Sequence, residues 1–369
     1  MPKWGRTAAC AAALATVAAL AAGCSSGSSS SAAAGGLTAV KNSLPTNFGP
    51  AEKTRLNVGV VPAMDSAGFF IALHDGLFAK EGLTINYSAA ASSETAIGQQ
   101  LHGKLDISAG NYVSYIEAAT KGDPLEIVSE GSITQAGAQT ILTMPSEHIN
   151  TLSQLKGKLV GVNGPQNIDY LLDESVLQQN GISPASVEFP TGKDPASAPF
   201  NDGGAIPFPD MASLLASGKL AAATMAEPFA SLAEQEYGAV PLVDLNQGAT
   251  DQFPIEGYVV TKQWAQDNPN TLKRFLAALS AGQEISDTDR QAVEQAFESL
   301  KGAANGQVPD GIAAVMALDT YPIGIDQTRI QRVADVMYQF GLLKSRFTVS
   351  SMLMPSSFFN FNQFSSSTS

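Results

Sequence analysis

Residues 56–90 read LNVGVVPAMDSAGFFIALHDGLFAKEGLTINYSAA. The run LNVGVV is apolar and β-branched, which is typical of a buried strand, and PAMDSAG (62–68) supplies the turn residues that end it. Apolar residues then recur at helical spacing, at Phe69, Phe70, Leu73, Leu77 and Phe78. Gly82 is a helix stop, and TINYSAA begins a second strand. The stretch therefore predicts a βαβ unit, whose ligands are expected beyond the carboxyl ends of the strands.

The same alternation continues along the chain. Apolar runs predict strands at LDISAG (105–110) and LEIVSE (125–130), with helices over 95–102 and 111–120. Between residues 131 and 144 the pattern changes, and then the alternation restarts. A second α/β half follows, with LKGKLVGVN (155–163) as a strand and VEF (187–189), IPF (206–208) and AAATM (221–225) as short ones. From residue 263 onward the pattern is mostly helical. Strands that alternate with helices predict mostly parallel sheets flanked by helices.

Length and composition indicate the number of domains and limit the class of partner. The 369 residues exceed the length at which one hydrophobic core keeps growing, so two domains are expected. Acidic residues number 34 against 21 basic ones, a net charge of −13. Nucleic-acid binding needs clustered Lys and Arg to neutralise phosphates, and the sequence has no basic run. We therefore expect no nucleic-acid partner.

Residues 1–23 have the three parts of a secretory signal peptide. Lys3 and Arg6 precede an Ala-rich run that is short for a membrane-spanning helix, and small residues lead to Cys24. This ending resembles a bacterial lipoprotein signal, in which the cysteine is lipidated; ordinary cleavage beside a chance cysteine is the alternative. Loss of the leader takes the net charge from −13 to −15. We expect an extracytoplasmic protein that Cys24 anchors to the outer face of the cell membrane.

Beyond Cys24, residues 24–53 form a Ser/Gly/Ala-rich tether. The other cysteine, Cys10, lies in the leader, so the folded body has no thiol for a disulfide, a zinc site or nucleophilic catalysis. Its histidines, His74, His102 and His148, are scattered along the chain, and a metal site is not expected.

Five short motifs together resemble a known family. In chain order they are GLFAKEGL (76–83), LHGKLDISAGNY (101–112), KGDPLEIV (121–128), LKGKLVGVN (155–163) and AEPFASLA (226–233). Each is weak alone, but in this order behind a lipoprotein-like leader they resemble the solute-binding lipoproteins of ABC importers. The family is the SsuA-like, or NMT1-like, one, whose members bind sulfonates, nitrate, taurine and thiamine precursors. The resemblance covers about residues 54–343.

The resemblance implies a two-lobed periplasmic-binding-protein type II fold that closes on a ligand by hinge motion. It places 54–137 and 248–345 in one lobe and 138–247 in the other, with 346–369 as a loosely ordered C-terminal tail. Residues 191–205 are rich in Pro, Gly and Asp and predict a long loop, either functional or mobile. The implied partners are a small-molecule ligand and the permease and ATPase subunits of an importer. The implied protein is a monomer without a cofactor.

Candidate ligand contacts follow from loop position. On the first lobe they are Met64, Asp65, Ser66 and Phe69 after strand one, Ser92, Ser93 and Glu94 after strand two, and Asn111 and Tyr112 after strand three. On the second lobe they are Asn163, Asn167 and Asp169 after LVGV, and Glu227 after AAATM.

Each candidate also has a purely structural interpretation. Asp65, Ser66 and the serines at 92 and 93 are good helix caps, and Phe69 is apolar enough for the core. Tyr112 begins a helix and can pack its ring against the lobe. Glu227 precedes a proline, and this pair suits the first turn of a helix.

The candidate loops carry carboxylates but neither Lys nor Arg. Helix N-termini alone suit anions such as sulfonate or nitrate, yet the missing cations favour a neutral, heteroaromatic or amine-bearing solute. Pyrimidine synthases of thiamine biosynthesis share the implied scaffold, but they carry a Cys-rich motif and donate a His. This body has no Cys, and none of its His lies in a candidate loop, so an enzyme is not expected. A secreted sensor or adhesin built on the same lobes is the remaining alternative.

Overall fold

A computed structural model describes residues 48–190, 205–302 and 307–359 of the chain. The strands are β1 Arg55–Val60, β2 Thr84–Ala89, β3 Ile107–Asn111, β4 Leu125–Ile133, β5 Gln139–Thr143, β6 Val160–Gly161, β7 Ala222–Ala226, β8 Val240–Asp244 and β9 Pro254–Thr261. The helices are α1 Ala67–His74, α2 Leu77–Lys80, α3 Ser93–Leu101, α4 Tyr112–Thr120, α5 Ile168–Gln179, α6 Phe208–Ala216, α7 Phe229–Tyr237, α8 Lys262–Asp267, α9 Pro269–Thr288, α10 Arg290–Ser299, α11 Asp310–Ala313 and α12 Gln327–Gln339.

Two separate sheets organise these elements. The first has the order β2-β1-β3-β9-β4, and we call it and its helices lobe 1. β1 pairs with β2 in parallel, from Arg55 opposite Thr84 to Val60 opposite Ala89, so the predicted opening βαβ unit is confirmed. β9 is antiparallel to both β3 and β4, and the other four strands therefore share one direction.

The second sheet has the order β6-β7-β5-β8, and we call it, with α5, α6 and α7, lobe 2. Here β5 alone is antiparallel to its neighbours. The chain passes from lobe 1 to lobe 2 between β4 and β5, and it returns between β8 and β9. Each lobe thus contains one reversed strand next to a crossover. The predicted lobe limits at 137/138 and 247/248 fall in these two connections, and the position of the hinge stays a prediction.

Two of the predicted short strands are wrong. In VEF only Glu188 makes a single bridge, to Leu159, and no strand forms. IPF leads into a helix, because Pro207 is the N-cap residue and α6 begins at Phe208. Proline lacks the N–H that a strand needs and suits the start of a helix, so apolar character alone misassigned this segment.

The predicted C-terminal tail is also partly wrong. Val349 and Met352 are buried, and Leu353 makes a parallel bridge to Ile127 of β4, so residues 346–359 include a segment packed on lobe 1. The signal peptide, Cys24, most of the tether, residues 191–204 of the long loop and residues 360–369 lie outside the described residues. Among the helices of the described ranges, none has the length and apolar character needed to span a bilayer.

Apolar packing joins the two lobes as well as filling each of them. Aromatic rings pack between α1, α2 and α9, where the rings of Phe78 and Phe275 stack with centroids 5.1 Å apart. A second cluster includes Val113 and Ile116 of α4 together with Leu171 and Leu172 of α5. Because α4 belongs to lobe 1 and α5 to lobe 2, this cluster crosses the interface and stabilises the lobes in contact.

Candidate functional site

A small cavity lies between the lobes where the candidate loops meet. Lobe 1 contributes Val61, Asp65, Ser93, Gly110, Asn111, Ile255 and Glu256, and lobe 2 contributes Gln139, Asn163, Ile168, Asp169 and Phe208. Its volume is about 20 Å³, and a single water needs about 10–15 Å³ measured in this way. A solute of several heavy atoms therefore enters only if the lobes separate.

The lobe 1 wall is built from two helix starts that are hydrogen-bonded to each other. Ser92 caps α3 by accepting the N–H of Thr95, and Asn111 caps α4 by accepting the N–H of Ser114 at 2.9 Å. The hydroxyl oxygen of Ser93 accepts both the backbone N–H of Asn111 at 2.9 Å and its side-chain N–H at 2.8 Å. Ser93 and Asn111 thus face the cavity in one fixed arrangement.

The lobe 2 wall is the start of α5. Asn167 caps this helix by accepting the N–H of Tyr170. Asp169 accepts the backbone N–H of Asn163 through Oδ2 at 2.8 Å, whereas its Oδ1 is buried without a hydrogen-bond partner. The side chain of Asn163 donates to the carbonyl of Ala91 in lobe 1 at 2.9 Å. This last bond fastens the two lobes together at the edge of the cavity.

A group of carboxyls lies beneath the lobe 1 wall. Asp65 accepts the hydroxyl of Ser132 through Oδ1 at 3.4 Å, and the carboxyl of Asp319 lies beside it. Burial raises the pKa of Asp65. Burial, and then the charge of Asp65, raise the pKa of Asp319 well above its ordinary value. Neighbouring carboxyls of this kind hold a proton between them rather than ionising together.

Glu256 and Asp169 extend this acidic environment across the cavity. Glu256 accepts the hydroxyl of Ser66 through Oε1 at 2.5 Å. Burial, followed by the charge of Asp65, raises the pKa of Glu256 well above its ordinary value. Burial raises the pKa of Asp169 to about 7; the N–H of Asn163 opposes this shift, and the charges of Asp65 and Glu94 add to it. The cavity thus holds carboxyls that keep their protons more readily than in water.

The structure brings five of the predicted contacts to the cavity and places the other eight elsewhere. Those at the cavity are Asp65, Ser93, Asn111, Asn163 and Asp169. Ser66 stands just behind it on Glu256, Ser92 and Asn167 act as helix caps, and Glu94 accepts the hydroxyl of Ser114.

The remaining four predicted contacts have packing or interlobe roles. Phe69 is buried among the rings of Phe70, Phe78 and Tyr87, where its first-turn position in α1 turns it towards the core. Tyr112 is also fully buried, and within the described ranges its hydroxyl has no hydrogen-bond partner.

Met64 and Glu227 meet across the interface. The N–H of Met64 donates to the carbonyl of Glu227 at 2.7 Å. The Glu227 carboxylate accepts the hydroxyl of Ser231 at 2.8 Å and the N–H of Ala317 at 3.2 Å. Glu227 therefore links lobe 2 to lobe 1 rather than facing the cavity.

Loop position did not predict three polar residues of this region, Gln139, Glu256 and Asp319. Gln139 is the first residue of β5, and Glu256 lies near the start of β9. A signal was present for Glu256, since it is an acidic residue within the apolar run FPIEGYVV, and a buried charge there needs a special environment. In the described ranges, no group of three or more His, Cys, Asp or Glu side chains is arranged to hold a metal ion.

Sequence and structure comparisons agree on the kind of protein. Residues 49–300 match the NMT1-like family. No curated protein matches at a significant level. Among solved structures, the chain is similar to SsuA, the alkanesulfonate-binding protein of Xanthomonas axonopodis pv. citri bound to MOPS. The identity is 16%, the TM-score is 0.65, and the match covers 83% of this chain and 99% of that one.

Two further structures show the same fold. The periplasmic aliphatic sulphonate-binding protein SsuA of Escherichia coli is 18% identical, with a TM-score of 0.60 over 82% of this chain and 92% of that chain. The periplasmic nitrate-binding protein NrtA of Synechocystis PCC 6803 is 13% identical, with a TM-score of 0.65 over 82% of this chain and 85% of that chain. The two lobes are therefore those of the periplasmic-binding-protein type II fold.

Proposed function

Because the chain belongs to the NMT1-like family, we propose that it is the extracytoplasmic solute-binding component of an ABC importer. It captures a small solute between its lobes and delivers it to a permease and an ATPase. The observation that carries this proposal is the cavity between the lobes, which both lobes line with polar side chains and which has a volume of only about 20 Å³. Such a site binds its ligand by opening and closing, as a delivery protein must.

The cavity chemistry bears on the class of solute. The similar structures are proteins named for binding sulfonates or nitrate, which are anions. Here Asp65, Asp169 and Glu256 line the cavity, and within the described ranges none of them forms an ion pair with Lys, Arg or His. Among the described residues, these carboxyls thus offer an anion no paired cation, and any of them that ionises would repel it. This supports a neutral, heteroaromatic or amine-bearing solute, bound without chemical conversion.

A thermal-shift panel tests solute capture. It contains sulfonates, nitrate, pyrimidines, amines and amino acids. A ligand at a hundredfold excess over its Kd stabilises the native state by about 2.7 kcal/mol, so a true ligand produces a clear rise in Tm. If no small solute raises the Tm while a macromolecule does, solute capture is wrong and the sensor or adhesin alternative replaces it. Co-purification of the permease with the full chain tests delivery separately.

We also propose that a lipid on Cys24 anchors the protein to the outer face of the membrane. The support is the leader that ends at small residues before Cys24, since acyl chains contribute about 0.8 kcal/mol for each buried CH₂. In a cell fractionation, the Cys24→Ala variant should leave the membrane fraction. The matched Cys10→Ala variant, altered within the leader, should remain there. Recovery of Cys24→Ala with the membranes would contradict the anchor.

A further inference from the structure

The carboxyls at the cavity contrast with a buried carboxylate elsewhere in lobe 1. Glu130 is 0% exposed and is bound by Arg329, with both N–O distances 3.0 Å. Asp65, Asp169 and Glu256 are also buried, yet among the described residues no cation pairs with any of them. A buried acid without a cation either keeps its proton or receives a positive charge from outside the chain.

Two buried side-chain oxygens at the cavity indicate which kind of group the solute supplies. Oδ1 of Asp169 and Oε1 of Gln139 have no hydrogen-bond partner among the described residues, although these residues are only 1% and 2% exposed and both line the cavity. The amide oxygen of Gln139 is an acceptor, and Oδ1 of Asp169 is an acceptor when its carboxyl is ionised. The side-chain amides of two cavity residues are already engaged, since Asn163 donates to two backbone carbonyls and Asn111 donates to Ser93. The buried side-chain N–H group of Asn167 is also without a partner among the described residues, but Asn167 does not line the cavity. The cavity therefore requires a hydrogen-bond donor.

Part of the wall is apolar. Ile168 and Phe208 of lobe 2 and Val61 and Ile255 of lobe 1 line the cavity beside the carboxyls. The ring of Phe208 stacks on that of Phe229 at 5.7 Å, which holds it in place. An aromatic face attracts an organic cation, and apolar side chains accommodate its hydrocarbon part. A hydrated inorganic ion fits such a wall poorly.

We infer that the solute is an organic cation, such as a protonated amine, whose N–H groups donate to Asp169 of lobe 2 and to Asp65 and Glu256 of lobe 1. This inference rests on the proposed function, and it names the charge of the solute. The nitrogen supplies the donors that Asp169 and Gln139 lack, and its charge compensates the ionised carboxylates. Because the carboxyls come from both lobes, the cation also favours the closed arrangement over the open one.

Binding of a cation at this site is coupled to protons. Among the described residues, the titratable groups around Asp169 are acids: Asp65 and Glu94 from lobe 1, Asp173 one turn along α5, and Glu256 across the cavity. Asp169 has a pKa of about 7, so it is protonated in mild acid and ionised above neutrality. A cation binds the ionised form better. In the range below pH 7, its affinity should therefore increase by up to about tenfold for each unit by which the pH is raised.

Matched ligand series test the inference by titration calorimetry and thermal shift on the full mature chain. Each series compares an amine, an alcohol and a sulfonate on the same carbon skeleton, for example benzylamine, benzyl alcohol and phenylmethanesulfonate, together with alkyl analogues, at about 10 mM. Calcium and zinc chlorides form a further arm. We expect a response only from ammonium compounds, with an affinity that rises between about pH 5 and pH 7.

Two variants of α5 make the test specific. Asp169→Asn keeps the size of the side chain but removes its charge, and it should weaken amine binding at least about tenfold and flatten the pH dependence. Glu174→Gln is the control, because Glu174 is also buried on α5 but accepts the hydroxyl of Tyr170 and does not line the cavity. It should leave amine binding unchanged.

Several results would overturn the inference. Preferential binding of a sulfonate, an alcohol or a metal ion would contradict it and leave solute capture intact. Equal loss of amine binding in both variants would show that the effect is not specific to Asp169. If no member of the matched series binds, the inference of an organic cation is wrong. The proposal of solute capture is wrong only if no compound of the wider thermal-shift panel binds either.

Discussion

Glu130 on β4 and Arg329 on α12 form a two-pronged ion pair, in which Oε2 and Oε1 lie 3.0 Å from Nε and Nη2. The same carboxylate accepts the N–H of Asp326, the residue that caps α12. One buried acid thus holds the start of a helix against the lobe 1 sheet. On the neighbouring strand β9, Glu256 is also buried, and the one side chain among the described residues that donates to it is the hydroxyl of Ser66. The first acid has a structural partner, and the second faces the cavity.

Replacement of Arg329 should therefore lower the stability of the folded protein. In Arg329→Met, Glu130 remains buried without its cation, and we expect a loss of about 3 kcal/mol in the free energy of unfolding, measured with urea near neutral pH. Arg346→Met is the control, since Arg346 is largely exposed and lies 3.9 Å from Asp335. Its effect should stay within about 0.5 kcal/mol. Equal effects of the two replacements would refute the structural role of the Glu130 pair.

The stability of the protein without solute should fall as the pH rises. The pKa of Asp169 is about 7 in the folded chain against an ordinary value of 3.8, so its contribution is fully present below about pH 4 and is lost as the pH rises through 7. Ionisation of Asp169 alone costs the folded state up to about 4 kcal/mol. Burial raises the pKa values of Asp173, Glu256 and Asp319 in the same direction.

Urea unfolding of wild type and Asp169→Asn at about pH 5 and pH 8 isolates the Asp169 contribution. Asparagine cannot ionise, so the stability of the variant relative to wild type should increase between the two pH values. Asp310→Asn, an exposed position at the start of α11, should show no such change. A difference between wild type and Asp169→Asn that does not vary with pH would mean that Asp169 is ionised throughout.

The sequence predicted the cavity residues near helix starts better than those on the reversed strands, for a physical reason. Ser93 and Asn111 follow parallel strands, and the carboxyl ends of such strands meet at one edge. Gln139 and Glu256 lie near the starts of β5 and β9, which run in the opposite direction and so bring their amino ends to that same edge. Strand direction is a property of sheet pairing, which a single sequence does not show. Whether a carboxyl such as Asp65 has a cation nearby depends likewise on distant residues.

Asn163 should control how readily the lobes separate. Its side-chain amide donates to the carbonyl of Ala91 across the interface at 2.9 Å. Loss of one such hydrogen bond, at about 1 kcal/mol, shifts the ratio of open to closed molecules about fivefold. Small-angle X-ray scattering of Asn163→Ala without solute should therefore give a larger radius of gyration than wild type. Asn180→Ala is the control, because Asn180 donates to Val176 within lobe 2. A larger radius in both variants, or in neither, would argue against an interlobe role for Asn163.

The contact of α1 with α9 depends on two glycines, and it supports the loop that carries Asp65. A Cβ at Gly282 would lie 2.1 Å from the carbonyl oxygen of Gly68 and 3.0 Å from Cβ of Ala72, so the helices would have to move apart. Overpacking of this kind costs about 1–3 kcal/mol, and Gly282→Ala should lower the free energy of unfolding by that amount.

Gly98 of α3 provides the matched comparison for Gly282. A Cβ at Gly98 would have no atom of the described residues within 4 Å beyond its chain neighbours and the backbone of its own helix, and alanine is more favourable than glycine in a helix interior by about 1 kcal/mol. Gly98→Ala should therefore stabilise the protein, and the two Gly→Ala changes should move the urea midpoint in opposite directions. Because a displaced α1 also displaces Asp65, Gly282→Ala should weaken solute binding while Gly98→Ala leaves it unchanged. If Gly282→Ala is as stable as wild type, α1 and α9 do not pack as closely as the described contacts require.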